Sequence, residues 1–343
     1  AIFFTLYVLR STGIFLDRCS FVLLIFALFA VAFAALVSLS GRFFVTLVSI
    51  VLAAVVSCAA DRDPLFRCSL SRALEWLLVL SSMALLLQLA VWHGTGELLR
   101  IHEVFFPLSE ARVEDRGEFA RLGGLYIEPG TFANWSLLIF LVYRMLAYSP
   151  NPLLPFLVGG AMVASLSLWG VAAGLVILIV SAPAALRGKP LRASLLIGLG
   201  CLAIPVIFNA DVLAFIEAKT ALESVSGDSK VVAVNEFLHE FDSIFLLGKG
   251  FAPNFCVGCT SPQDAGVFIG FSVTFGVLFA IIVFFALFLG VFRRLGFVGI
   301  LIALFVPVSK VFYWDFIFWI LLFVTCRQLC NVRRVRVGMV SAQ

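Results

Sequence analysis

Charged residues are scarce in this chain. Asp, Glu, Lys and Arg together make up 13% of the 343 residues, about half of the fraction that soluble domains carry. This composition excludes an ordinary soluble domain. The net charge of +4 includes no basic tract interleaved with aromatic and polar residues, so we expect no nucleic-acid partner. The few charges in such a chain are costly to place in a membrane and are therefore candidates for function.

The chain also lacks the ligand spacing of a metal site. Of its eight cysteines, Cys256 and Cys259 form a close pair, but a zinc site needs about four ligands. We therefore expect no metal and no cofactor. The pair forms either a local disulfide in an oxidising compartment or two thiols, and the sequence leaves both open. The other cysteines lie mostly in or near apolar runs, where cysteine acts as a small hydrophobic residue.

Long apolar runs are abundant. Hydrophobic residues make up 62% of the chain, including 37 Phe. The pattern predicts an all-α polytopic membrane protein with about ten or eleven transmembrane helices. The runs cover 1–16, 20–39, 43–60, 73–92, 132–148, 153–168, 170–186, 193–208, 266–292, 296–310 and 312–326. We interpret 1–16 as the end of a first helix rather than as a targeting segment.

The region 153–186 is compatible with one helix or two. One helix would be ~51 Å long, against a hydrocarbon core of ~30 Å, and small polar residues at 165–170 favour a break. With two helices, the basic clusters all share one side, which is the cytoplasm by the positive-inside rule. The strong clusters are Arg187, Lys189 and Arg192; Arg293 and Arg294; and Arg327, Arg333, Arg334 and Arg336, with a weaker one at Arg62, Arg67 and Arg72. We predict two helices.

This topology predicts a single integral membrane domain with two large extracytoplasmic loops. Its parts are the N-terminal helices 1–92, the first outer loop 93–131, the middle helices 132–208, the second outer loop 209–265, the C-terminal helices 266–326 and a basic cytoplasmic tail 327–343. In the second loop, a polar break at 226–229 separates two amphipathic stretches. They predict two short helices on the membrane surface.

The first outer loop ends in a stretch that carries Arg121 and Glu128. Glycines at 123 and 124 allow a sharp bend, and Pro129 marks a helix start, so Glu128 should lie at the lip of that helix. A guanidinium suits a phosphate, and a partly dehydrated carboxylate can act as a base. The alternative is an ion pair between Arg121 and Glu128 that only folds the loop. Arg116 is a further candidate for binding substrate.

The second outer loop supplies the other candidates. Lys230 is predicted at a helix start, where free N–H groups favour an anion. His239 follows nine residues later, about 180° away around one helix, so both face one site only if the helix breaks. Lys249 lies in a flexible Gly-Lys-Gly turn. Asp264 either caps the following helix or contacts a substrate hydroxyl.

These residues occur in a familiar order. The stretch from Arg121 to Ala133, Arg-Leu-Gly-Gly-Leu-Tyr-Ile-Glu-Pro-Gly-Thr-Phe-Ala, resembles the R-x-x-G-L-(F/Y)-x-E-P-x-x-x-A motif of O-antigen and exopolysaccharide polymerases of the Wzy type. The stretch 246–251 is similar to the one that closes the family's second large loop. Asp264-Ala-Gly266 with Gly276 is similar to the entry to the next span. The resemblance covers roughly residues 120–290. Some members carry an arginine where Lys230 stands.

The resemblance implies a metal-independent glycosyltransferase of the GT-C type in the bacterial inner membrane, with its large loops outside. A growing glycan would move from undecaprenyl diphosphate to a second lipid-linked repeat unit, and a chain-length regulator protein is a possible partner. Arg121, helped by Lys230 or Lys249, would stabilise the leaving diphosphate. Glu128, in preference to His239, would take the proton of the acceptor hydroxyl.

Two other functions stay open. A ligase of the same superfamily would transfer the glycan to a lipid A core, and nothing in the chain identifies the acceptor. A transporter or flippase of lipid-linked oligosaccharides is the third possibility. Transporters are expected to carry ionisable residues or broken helices near the midplane, and internal repeats. Most charges here lie instead in the outer loops and at span ends, which favours chemistry at the membrane surface.

Overall fold

The chain is predominantly helical. A computed structural model describes residues 18–38, 40–107, 109, 114–115, 120–186, 225–251 and 265–330. Its elements are α1 (Arg18–Val37), α2 (Gly41–Arg62), α3 (Pro64–Thr95), α4 (Ile101–Phe105), β1 (Glu114–Asp115), β2 (Ala120–Arg121), α5 (Pro129–Leu146), α6 (Leu154–Ala164), α7 (Leu168–Leu186), α8 (Val225–His239), α9 (Val267–Phe275), α10 (Val277–Ala303) and α11 (Phe316–Cys330). The strands β1 and β2 form a short antiparallel pair.

Apolar helices of membrane-spanning length confirm the predicted class. Among the described residues, α1, α2, α3 and α10 are long and apolar enough to cross a bilayer. They expose large phenylalanines, with Phe29 at 65%, Phe44 at 62% and Phe285 at 66% of their surface accessible. Such faces are unfavourable in water and stable in hydrocarbon. The chain is therefore a multi-pass helical membrane protein.

The break predicted within 153–186 is confirmed. Helices α6 and α7 are separated by 165–167, where Leu166 takes a left-handed φ of 52°. Glycines let the two helices pack closely, since a Cβ on Gly174 would lie 2.7 Å from the carbonyl oxygen of Gly159. The expectation of two full spans is wrong for α6, because its 11 residues measure about 16 Å and cannot cross a core of ~30 Å.

The chain forms two compact units. The first contains 1–71, 141–148 and 229–343, and the second contains 72–140 and 149–228. In the first unit, α11 packs on α1, α2 and α10, around a cluster of buried rings from α9, α11 and the turn before α11. These rings belong to Phe271, Phe275, Tyr313, Phe318 and Trp319. In the second unit, α6 packs along α7.

Basic residues from separate sequence clusters meet at one end of the first unit. Arg327, in the last turn of α11, forms an ion pair with Asp61 and donates to the carbonyl oxygen of Ser57 at 3.2 Å. Arg293 donates to the carbonyl oxygen of Leu329 at 2.8 Å. Arg293 and Arg327 thus lie near each other in the first unit, and the side of the membrane that they face stays a prediction.

Two cysteines in this unit are paired. Cys19, near the start of α1, and Cys330, at the end of α11, form a disulfide. The expectation that cysteines near the spans act as small hydrophobic residues is therefore wrong for these two. Cys256 and Cys259 lie outside the described residues.

Cysteine labelling tests the orientation of the chain. Lys230 is exposed on α8 and Arg293 is exposed at the basic end. The topology predicts that Lys230→Cys reacts with an impermeant thiol reagent applied outside the cytoplasmic membrane, whereas Arg293→Cys reacts only after permeabilisation. Native Cys68, which is exposed, and the pair at 256 and 259 are first replaced by serine. Labelling of the Lys230→Cys variant only after permeabilisation would overturn the topology.

Asp315 makes the stability of the first unit depend on pH. It lies in the turn before α11, where burial raises the pKa of its carboxyl from 3.8 to about 6, against the opposing effect of a backbone hydrogen bond from Phe312. The folded chain therefore binds this proton more tightly than the unfolded chain does. The resulting stability is fully present below pH ~4 and is lost as the pH rises through 6, a change of about 3 kcal/mol. Thermal unfolding between pH 4 and 7 should show this fall, and Asp315→Asn should remove it; an unchanged profile in Asp315→Asn would contradict the assignment.

Candidate functional site

The loop between β2 and α5 is fixed by polar groups of the second unit. The side chain of Gln88 on α3 accepts a hydrogen bond from the backbone N–H of Gly124 at 2.8 Å and donates one to the carbonyl oxygen of Leu99 at 2.6 Å. The ring of His102 lies 2.8 Å from the carbonyl oxygen of Leu125 through Nδ1 and 2.5 Å from Ser109 Oγ through Nε2. Gln88 and His102 are buried, so these bonds hold the loop in one conformation.

The two glycines of the loop are needed for its path. Gly124 has a φ of +64°, and a Cβ there would lie 3.2 Å from the backbone of Ser81 and Leu85 on α3. A Cβ on Gly123 would lie 2.6 Å from the carbonyl oxygen of Tyr126. The bend predicted after Arg121 is therefore confirmed, and a side chain at 124 would also strain the backbone.

Tyr126 anchors the middle of the loop. Burial raises the pKa of its hydroxyl to about 12, although a hydrogen bond with the side chain of Ser81 opposes this. The hydroxyl is therefore neutral at physiological pH, and its ring packs edge-on against Phe132 at 5.8 Å between centroids. Tyr126 thus holds the loop and carries no charge.

Glu128 lies at the start of α5, as predicted. Its carbonyl oxygen accepts the first bond of the helix from Phe132 N at 3.1 Å, and its carboxylate accepts one from Thr131 Oγ1 at 3.2 Å. A Cβ built on Gly130 would lie 3.7 Å from Glu128 Oε1 and 3.9 Å from Ser167 Oγ. The break between α6 and α7 therefore comes next to the carboxylate.

The alanine that ends the motif has a packing role. A Cβ on Gly170, in the first turn of α7, would lie 2.8 Å from the Cβ of Ala133. A larger side chain at either position would push α5 and α7 apart. This contact fixes the start of α5, and with it Glu128, against the start of α7.

Arg121 ends the strand β2, opposite Glu114. Arg121 is half-buried as a whole, and its Nε atom is fully buried. It lies in the same unit as Glu128, seven residues earlier in the chain. The candidates Arg116 and Asp264 lie outside the described residues.

The second-loop candidates lie in the first unit. Lys249 Nζ forms an ion pair with Glu240 Oε1 at 3.0 Å. Hydrogen bonds from Ser243 and then from Lys249 lower the pKa of the Glu240 carboxyl, with a smaller contribution from the nearby His239. Both Lys249 and Glu240 are half-buried, whereas His239 is exposed at the end of α8. The expectation of a flexible turn at 249 is wrong, because Lys249 N donates to the carbonyl oxygen of Val273 at 2.7 Å.

The position predicted for Lys230 is also wrong. The helix α8 begins at Val225 and runs through the expected break at 226–229, so Lys230 lies in its second turn rather than at its start. The backbone N–H groups that are free at the start of α8 therefore belong to residues before Lys230. One unbroken helix also joins Lys230 to His239, which places them about 180° apart.

The glycines of the stretch 246–251, and Gly276 after it, have packing roles. A Cβ on Gly248 would lie 2.3 Å from the backbone of Thr274, and one on Gly250, whose φ is +76°, would lie 2.4 Å from the carbonyl oxygen of Ala34. Gly276, at φ +105°, closely approaches the carbonyl oxygen of Leu246. These contacts seat the side chain of Phe251 in the ring cluster.

Sequence reasoning missed the residues that support the first loop. Gln88 and Ser81 lie within the apolar run 73–92, and a buried amide in such a run is a signal that polar partners exist. No feature of the sequence indicates the role of His102. Its partners are the carbonyl oxygen of Leu125 and the hydroxyl of Ser109, and they come near its ring only when the chain folds. Ser167 belongs to the polar tract that predicts the break, and only the folded structure places it near Glu128.

No protein-family model, curated protein or solved structure matches this chain. The resemblance to Wzy-type polymerases therefore stays an expectation that rests on the motifs alone. What the fold itself establishes is the class, a multi-pass helical membrane protein with an ordered loop that carries an arginine and a glutamate.

Proposed function

We propose that this protein is a polysaccharide polymerase of the inner membrane. In the proposed reaction, a glycan leaves undecaprenyl diphosphate and joins a hydroxyl of a second lipid-linked repeat unit. The bond between the anomeric carbon and the diphosphate oxygen breaks, and a bond from that carbon to the acceptor oxygen forms. The acceptor proton passes to Glu128, and the charge of the leaving diphosphate is stabilised by Arg121.

One observation carries the proposal. Within the motif from Arg121 to Ala133, the other defining side chains have structural roles: glycine at 124 is required by the backbone, Tyr126 anchors the loop on α3, proline at 129 begins α5, and Ala133 packs on α7. The two ionisable groups are thus presented by a scaffold that the rest of the motif builds. A loop that is held in one conformation by this many specific contacts is typical of a preorganised site.

The carboxylate environment suits a base. Glu128 is half-buried and accepts a hydrogen bond from the hydroxyl of Thr131, with the hydroxyl of Ser167 nearby. Because residue 130 is glycine, it places no side chain beside the Glu128 carboxylate and the Ser167 hydroxyl. A sugar hydroxyl that approaches the start of α5 would find both an acceptor and a hydroxyl partner there.

Product analysis tests the proposal. Purified protein in liposomes is supplied with a synthetic repeat unit on undecaprenyl diphosphate. A polymerase releases undecaprenyl diphosphate and forms a lipid-linked product with two or more repeats. Release that requires an added lipid A core identifies the ligase instead. Movement of the intact lipid across the bilayer without release identifies the transporter.

A further inference from the structure

Two arginines from different helices meet at the carboxyl end of α5. Arg67, on α3, donates from Nε to the carbonyl oxygen of Leu146 at 2.7 Å and from Nη2 to that of Met145 at 3.3 Å. Arg294, on α10, donates from Nη2 to the carbonyl oxygen of Ala147 at 3.2 Å. Three consecutive peptide carbonyls thus hold two guanidinium groups side by side. Like charges this close repel, and an anion that contacts both is favoured.

An exposed tyrosine marks the position of this pair relative to the bilayer. The guanidinium carbon of Arg67 lies 4.3 Å from the ring centroid of Tyr148, and Nη1 lies 3.5 Å from the tyrosine hydroxyl. Tyr148 is 64% exposed. An exposed tyrosine at the end of apolar helices is typical of the boundary between headgroups and hydrocarbon.

In the described part of the first unit, arginines outnumber the acids at this end. Residues 61–67, 293–294 and 327 contain five arginines and two aspartates. Of the aspartates, Asp61 binds Arg327, and Asp63 accepts from the backbone N–H of Leu65 at 2.8 Å. The field around Arg67 and Arg294 is therefore positive.

Exposed apolar side chains adjoin both arginines in sequence. Leu65 and Phe66 precede Arg67 and are 78% and 37% exposed, and Phe292, two residues before Arg294, is 48% exposed. We propose that Arg67 and Arg294 form a binding site for the headgroup phosphate of an anionic glycerophospholipid, whose acyl chains lie along these apolar side chains. Basic pockets between transmembrane helices are suited to this role. A soluble phosphate would gain nothing from the apolar flank.

Lipid-dependent stability tests the site. The full chain, purified in neutral detergent, is titrated with phosphatidylglycerol, with phosphatidylcholine and with inorganic phosphate, and the unfolding temperature is followed. Phosphatidylglycerol should stabilise the protein well beyond phosphatidylcholine. Its apparent affinity should fall about fivefold for each arginine lost in Arg67→Gln and Arg294→Gln. The shift is measured against each variant's own lipid-free value, so a lower starting stability does not obscure it.

Arg72→Gln is the matched control. Arg72 is an exposed arginine on the same helix as Arg67, five residues away, and its loss should leave the affinity unchanged. Arg294→Gln removes the hydrogen bond to the carbonyl oxygen of Ala147 and is the variant to measure if Arg67→Gln does not fold. Equal stabilisation by phosphatidylcholine, full stabilisation by inorganic phosphate, or an equal loss in Arg72→Gln would each overturn the proposal.

Discussion

Cells that carry Arg121→Ala or Glu128→Gln in place of the native protein are expected to make no long glycan and to accumulate acceptors that bear single repeat units. Loss of a preorganised charge that stabilises the leaving group costs about 10²–10³ in rate, and loss of a general base costs about 10²–10⁴. Either is enough to stop repeated transfer. Chain length is measured by gel electrophoresis of the glycan at matched levels of inserted protein.

The chain offers a matched pair of control substitutions. Arg100 and Glu103 form an exposed ion pair at 3.2 Å, in the same predicted outer loop as Arg121. Exposed pairs contribute little to stability, so Arg100→Ala and Glu103→Gln should give glycan of normal length. Normal long chains from both Arg121→Ala and Glu128→Gln would defeat the mechanism and leave the loop with a structural role.

Gly250→Ala is expected to abolish the folded first unit. The backbone at 250 has a φ of +76°, and the added Cβ would lie 2.4 Å from the carbonyl oxygen of Ala34 and 2.9 Å from the backbone nitrogen of Ser38. The positive φ and the overlap with a rigid backbone together cost about 4 kcal/mol, a large part of the stability of a typical protein. The yield of folded protein and its unfolding temperature report the loss.

Gly41→Ala is the control for this substitution. Gly41 lies at the start of α2 in the same unit, and a Cβ there meets nothing within 4 Å. The unfolding temperature should stay the same or rise, because alanine favours the helix over glycine. A Gly250→Ala variant as stable as Gly41→Ala would show that the stretch 246–251 does not pack as described.

The two sets of glycines bear on how the motifs are interpreted. Gly248 and Gly250 flank a lysine, a pattern that also occurs where a loop wraps a phosphate. The structure shows instead that they let this segment approach α1 and α9, while Lys249 pairs with Glu240. The first motif differs, because its glycines and Tyr126 position an arginine and a glutamate. This contrast favours Arg121 and Glu128 over Lys249 as the reacting groups.

The sequence predicted features that depend on length and local chemistry. The apolar runs gave the membrane class, the small polar tract gave the break before α7, and Pro129 gave the start of α5. Each of these follows from a property of a few adjacent residues. The prediction failed at 226–229, where glycine and serine favour a break but the helix α8 continues.

The contacts that support the first loop could not be predicted from the sequence, for a physical reason. Gln88 and Gly124 are 36 residues apart, and which helix face meets which loop depends on packing across the whole unit. The same holds for Arg67 and Arg294, which meet at carbonyl oxygens of residues 145–147, at the end of α5. Every residue has a backbone carbonyl oxygen, so a sequence pattern does not show which of them will accept such hydrogen bonds.

Glu128 is proposed to act as the base in glycosyl transfer. The most direct test is the single-turnover rate at which purified protein releases undecaprenyl diphosphate from a bound lipid-linked donor in the presence of acceptor. Glu128→Gln is expected to lower this rate at least about 100-fold, while donor binding and unfolding temperature stay near those of the wild-type protein. Glu103→Gln should leave the rate unchanged. An unaltered rate in a folded Glu128→Gln protein would show that Glu128 is not the base.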